Sequence, residues 1–235
     1  MKKRIAPVLN TIGWLMLFFA MVMGGVRDVG LDPQLYFDLQ REAGILETAG
    51  ISEADLLQLD VSLARYLEGD QNDPNLEIEV FGEMQPAFNE KEMQHLADCR
   101  RLFAPTVSLW LNIALAVAGV ALAMYGRQQP NAQRRYTACM WIASVIIAAP
   151  LALLAVWAMI DFGSAFDFFH RVLFTNELWM LNPETDLLIR ICPASMFANM
   201  GLRIGLRAAA VLLGLPLVVT IAVYFERRKR KKDAA

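Results

Sequence analysis

Only two imidazoles occur in this chain of 235 residues. His95 lies in NEKEMQHLADCRRLF and His170 in FDFFHRVLFTNELW, each a few residues from a strongly apolar stretch. Imidazole exchanges protons near neutral pH more readily than other side chains. A pair of them facing one compartment at a lipid surface suits acyl chemistry, in which one group must lose a proton and another must gain one. Glu92 and Asp98 stand three residues before and three after His95. At about 100° per residue, the three side chains fall within an arc of roughly 120° on a helix. A carboxylate on that arc can hold one ring nitrogen and raise the basicity of the other. The same spacing also serves an ordinary charged surface helix. His170 is set among phenylalanines, where a charged ring is costly, so it needs a partner, with a backbone carbonyl as the simplest choice.

Other chemistries find no motif. The three cysteines, Cys99, Cys139 and Cys192, form no C-x-x-C, and the sequence holds no H-x-x-x-H, no G-x-S-x-G and no glycine-rich phosphate loop. Two histidines with carboxylates could bind zinc, but they lack the local ligand spacing of a zinc site. No metal and no cofactor are expected. The basic C-terminal tail is short and carries no interleaved aromatics, so nucleic acid is not an expected partner.

The elements that must position the histidines are membrane elements. The chain is 56% hydrophobic with a mean hydropathy of +0.37, too apolar for a soluble domain and too charged to lie wholly in lipid. Apolar runs at 5–26, 105–126, 137–160 and 204–225 each match the roughly 20 residues that cross a hydrocarbon core as a helix. Basic residues cluster at Lys2, Lys3 and Arg4, at Arg127, Arg134 and Arg135, and in ERRKRKK after the fourth run. Such clusters mark the cytoplasmic side. The residues 1–4, the loop 127–136 and the tail 226–235 therefore face inward, and the segments 27–104 and 161–203 face outward with both histidines. The first run lacks a small-residue cleavage pattern and is long for a signal sequence, so it reads as an uncleaved anchor.

The expected fold is mainly α and integral to the membrane: four transmembrane helices, a small α+β extracytoplasmic cap and two cytoplasmic termini. Within the cap, PQLYFDLQREAGIL has the mixed pattern of a short amphipathic helix. Ser52 and Asp55 form a capping signal, and GDQNDPN breaks the helix that follows. LEIEVFGE alternates as a half-buried strand. A further helix starts near Asn89, with Glu92 as its capping partner. In the second outer segment Asn176 and Trp179 flank the His170 region, Trp179 also fitting an interfacial aromatic belt. Asp186 can serve chemistry or cap a short helix. Pro150 and Pro216 fall inside the third and fourth spans, where proline kinks a helix. Cys99 and Cys192 both fall outside, where disulfides can form; they are expected to stay free.

FNEKEMQHLADCRRLF entering a span, and FDFFHRVLFTNELWMLNPETDLLIRICPASMF between the last two spans, resemble the bacterial integral membrane family that contains lipoprotein intramolecular transacylase. The resemblance runs over nearly the whole chain, including LDPQLYF after the first span. It departs at Cys99, where an aliphatic residue would follow the aspartate. The resemblance implies an intramolecular transfer at the outer face of a bacterial cytoplasmic membrane. The sn-2 acyl chain of an S-diacylglyceryl cysteine would move to the α-amine of that cysteine, giving a lyso-form lipoprotein. The partners would be a diacylated bacterial lipoprotein and membrane lipids. His170 would act as base and His95 as acid, or the reverse, with Glu92 or Asp98 orienting His95 and Asn89, Asn176 and Trp179 shaping the site. Two other classes remain: a non-catalytic membrane protein that binds through its acidic cap, and a metal-dependent membrane hydrolase.

Overall fold

A computed structural model describes residues 2–127 and 132–233. The loop expected at 127–136 and the end of the basic tail fall partly outside them. Among the described residues, four helical stretches are long and apolar enough to cross a membrane: Ile5–Gly30, Glu90–Tyr125, Arg135–Ile160 and Ala194–Glu226. The chain divides into two compact units. One holds Met1–Gly25, Leu109–Leu153 and Ile204–Ala235; the other holds Val26–Ser108 and Leu154–Arg203.

The first unit is helical. Helices α1 (Lys2–Gly30), α6 (Leu109–Arg127) and α7 (Ala132–Ile160) contribute to it, together with helical residues after 203. Trp14, Phe18, Val22, Met140, Ala143 and Leu212 form its buried core. Two glycines set the closest backbone approach. A Cβ at Gly13 would come within 2.7 Å of Gly119 O, and one at Gly119 within 2.7 Å of Gly13 O. Small residues allow such packing between apolar helices, where van der Waals contact must replace the hydrophobic drive available in water. Asn10 donates to Ala123 O across the same contact.

Proline acts on the last span as its chemistry requires. Pro216 has no N–H to return to the carbonyl of Leu212 four residues earlier. The helix answers with a π-turn at Ala210–Gly214, and the Ser144 hydroxyl donates to Leu212 O. Pro150, by contrast, is carried inside an uninterrupted α7.

The second unit is a small α+β assembly. Helix α2 (Pro33–Glu42) begins with Asp32 accepting from Leu35 N and with Pro33 in its first turn, the arrangement that satisfies and pre-orients a helix start. Helix α3 (Ile45–Ala49) follows, between two left-handed glycines. Ser52 caps α4 (Glu53–Glu68) through Asp55 N, and Gly69 in the left-handed region ends it, glycine being the residue that adopts this conformation without strain. Strands β1 (Glu77–Val80) and β2 (Glu83–Pro86) pair antiparallel, with Ile78 and Val80 inward and all of β2 exposed. Helix α5 (Glu90–Val107) is capped by Asn89 and Glu92 reciprocally. Helix α8 (Phe162–Leu173), the short α9 (Leu187–Ile191) and the start of α10 (Ala194–Ala209) complete the unit, and α11 (Leu215–Asp233) ends the chain. Leu56, Leu59, Leu63, Ile78, Leu96 and Ile191 lie in one core, so α9 packs with residues more than a hundred positions earlier.

The helical run Glu90–Tyr125 is divided at Ser108. Its charged residues Glu90, Lys91, Glu92, Asp98, Arg100 and Arg101, and His95 with them, all lie on α5.

Candidate active site

The capping box at Asn89 fixes where α5 begins, and therefore the direction in which His95 projects, less than two turns on. His170 projects from the last turn of α8. Both side chains are buried, at 7% and 9% exposure. Their ring centroids lie 6.2 Å apart. Phe174 joins them, with its ring 5.2 Å from His95 and 5.6 Å from His170. Trp179 stands 5.0 Å from His170, and Phe166 stands 4.1 Å from it.

The two rings have different hydrogen-bond partners. His170 Nδ1 lies 2.8 Å from Phe166 O. A carbonyl oxygen can only accept, so Nδ1 carries the proton and Nε2 keeps its lone pair. His95 meets the Cys99 thiol, with Sγ 3.5 Å from Nε2 and 3.9 Å from Nδ1. Burial holds the pKa of His95 down to about 4, assisted by the neighbouring His170 and by Lys91 and opposed by Asp98. Burial also lowers His170, against the pull of the Phe166 carbonyl and Asp167. Both imidazoles are therefore neutral near pH 7 and able to accept a proton.

Glu92 and Asp98 share the side of α5 that carries His95, but their oxygens are bonded elsewhere. Side chains on a helix lean toward its N-terminus, and Glu92 reaches back to accept from Asn89 N at 2.8 Å. Its other oxygen accepts from Leu188 N at 2.6 Å, which caps α9 from another element. Burial raises the Glu92 pKa, and these two backbone donors work against that rise. Asp98 accepts from Asn176 Nδ2 at 2.7 Å and pairs with Arg101 at 3.3 Å. No hydrogen bond joins either carboxylate to a ring nitrogen of His95 among the described residues; Asp98 acts on that ring only through space.

Asp186 occupies the N-cap position of α9, yet its side chain makes no capping bond. Instead it accepts from Asn89 Nδ2 and Thr185 Oγ1, each at 2.9 Å, and from Asn182 N at 2.8 Å. Burial works against its charge, but these donors and Lys91 outweigh it and hold the carboxyl below its usual range. Trp179 Nε1 donates to Asn176 O, and Lys91 Nζ donates to Met180 O. Asn89, Glu92, Asp98, Asn176 and Asp186 therefore sew the segment 176–188 to α5. Trp179, held by that seam, is the one of the six supporting residues whose side chain packs against an imidazole.

Phe166, Phe174 and Cys99 also stand against the rings, as does Phe169 at 5.8 Å from His170; the sequence set His170 among phenylalanines without singling out which of them meet it. The signal for the first three was helical spacing. Phe166 and Phe174 are four residues either side of His170, and Cys99 is four after His95, so each shares a face with its histidine. The three cysteines are free, and no group of three metal-ligating side chains converges among the described residues.

A family model described as "Lipoprotein intramolecular transacylase Lit" matches residues 11–197, a stretch that includes both histidines and every residue named around them. The chain belongs to the Lit family. Membership makes it an acyltransferase. Two solved structures share its fold. Lit from Bacillus cereus, determined in meso, superposes with a TM-score of 0.70 at 17% identity, covering 96% of this chain and 97% of that one. A Bacillus cereus Lit carrying a histidine-to-arginine mutation gives 0.64 at 16% identity, covering 98% and 94%. No curated protein matches the chain in sequence. Together with the four apolar helices, the fold is that of a multi-pass membrane protein.

Proposed function

We propose that this protein moves the sn-2 acyl chain of an S-diacylglyceryl cysteine to that cysteine's own α-amine, within a lipoprotein held at the outer face of a bacterial cytoplasmic membrane. One observation carries the histidine chemistry: two buried imidazoles 6.2 Å apart, one with its Nδ1–H given to a backbone carbonyl and its Nε2 lone pair left over. The outward orientation is supported by the three basic clusters that flank the apolar runs.

The reaction forms one bond and breaks one. The amine nitrogen attacks the ester carbonyl, the amide C–N bond forms, and the bond to the glyceryl oxygen breaks. One proton leaves nitrogen and one arrives on oxygen, so the product is an isomer of the substrate. An N-terminal ammonium has a pKa near 8 in water and must lose its proton first. The burial that depresses both imidazoles also disfavours an ammonium beside them, so the site favours the nucleophilic form. His170 Nε2 then takes the proton released on attack. That proton passes within the pair to His95, which delivers it to the departing oxygen; starting neutral, His95 cannot serve as an acid earlier. Each such positioned transfer contributes about 10² to 10⁴ in rate, and holding amine and ester on one molecule supplies much of the remainder.

The test is fragmentation mass spectrometry of a reporter lipopeptide in cells that otherwise leave it diacylated with a free amine. Intact mass does not change, so fragments must locate the acyl chain. Cells with the protein should yield N-acyl, monoacylglyceryl product. His95→Ala and His170→Ala, each verified in the membrane, should lower its formation by at least about 10²-fold. Full activity in both variants would remove histidine catalysis from the reading.

A further inference from the structure

His170 is pinned by its own helix through Phe166 O, which leaves one defined nitrogen for chemistry. His95 has no such anchor. Glu92 and Asp98 direct their oxygens to Asn89, Leu188, Asn176 and Arg101. Within hydrogen-bond range of the His95 ring nitrogens, among the described residues, stands the Cys99 thiol one helical turn on. Its distances of 3.5 Å to Nε2 and 3.9 Å to Nδ1 are nearly equal. The sulfur therefore lies within reach of both nitrogens and is committed to neither.

That placement has a chemical meaning. A thiol is both a weak donor and a weak acceptor, so it tolerates the imidazole proton on either nitrogen. A carboxylate in its place would only accept. It would fix one tautomer and favour the charged ring. Burial pushes the Cys99 thiol up to about 12, so it stays uncharged beside a ring that burial keeps neutral.

We propose that Cys99 is a positioning residue for His95: its uncharged thiol supports the ring while leaving both nitrogens able to take up or release the reaction's proton. The proposal rests on the histidine chemistry above. The thiol makes and breaks no bond. His95 accepts a proton at one nitrogen and yields it from the other, and Cys99 adapts to each state.

With two histidines in the chain, ¹⁵N-histidine NMR of the full-length protein in micelles gives one set of signals for each, assigned with His170→Gln. His170 should show a single tautomer with bare Nε2, and His95 an average of both tautomers. Cys99→Asp should lock His95 in one form and raise its pKa by about one to three units. His95 must start neutral to take up the reaction's proton, so the pH below which its ¹⁵N signals report the charged ring should move to higher pH by the same amount. Cys99→Ala should lower kcat by about tenfold with KM unchanged, less than loss of a proton carrier itself. Cys99→Ser, which keeps a group that donates and accepts, should recover most of that loss.

Unmoved His95 signals in Cys99→Asp, in tautomer and in titration alike, would overturn the proposal even if His95→Ala is inactive. Full activity in both histidine-to-alanine variants would overturn the histidine chemistry first and the proposal with it, so the two failures are distinct.

Discussion

His170 and His95 arrive within a few ångströms of each other by different means. The His170 ring is oriented by a main-chain carbonyl of its own helix, Phe166 O, and walled by aromatic faces. His95 depends on side chains: Asn89 and Glu92 fix the start of its helix, Asp98 and Asn176 fasten the facing segment, and a thiol touches the ring. A backbone anchor survives replacement of the side chain on the residue that supplies it; a side-chain anchor does not. The site should therefore be robust around His170 and fragile around His95.

The largest expected departure is at Glu92. Its carboxylate, on a residue only 1% exposed, serves two backbone donors on different elements. Glu92→Ala leaves both unpaired, at about 1–3 kcal/mol each. It should lower the melting temperature strongly and reduce activity together with stability. Thermal unfolding in micelles checks this, and a variant as stable as the parent would break the contrast. A smaller effect is expected at Asp98 and Asn176, which form a partly solvated bond. Asp98→Ala and Asn176→Ala should each cost about 1 kcal/mol, and the double variant should cost less than their sum. Strict additivity in a double-mutant cycle would show that the bond does not hold the segment. The smallest effect is expected from Phe166→Leu. It removes ring contacts but keeps the carbonyl, so ¹⁵N signals of His170 should retain the Nδ1–H tautomer. A switch to the other tautomer would mean that the Phe166 ring, and not its carbonyl, sets the orientation.

Local rules made much of this molecule readable before its structure. Apolar length marked the spans, and the capping signals at Ser52 and at Asn89–Glu92 lie where the helices begin. The alternation in LEIEV became the inner and outer faces of β1. The bonds that complete the site were not readable in this way. Glu92 meets Leu188 and Asp98 meets Asn176 across 96 and 78 positions. The i, i+3 geometry offered a nearer partner in His95, and only the tertiary arrangement decides against it. The helix leading into the fourth span begins at Ala194, ten residues before the apolar run expected at 204. Serine, asparagine and arginine in that stretch hide a helix from any reading based on hydropathy.

The double use of Glu92 bears on how the chain can change length. One carboxylate marks the first turn of α5 and the first turn of α9, so the two starts share a single ruler although they lie far apart in the chain. Adding or removing one residue between Asn89 and Glu92 would uncap both helices at once. An insertion on the exposed β1–β2 connection at Phe81–Gly82 would reach neither. Length variation should be tolerated at that connection and excluded from the four residues that begin α5.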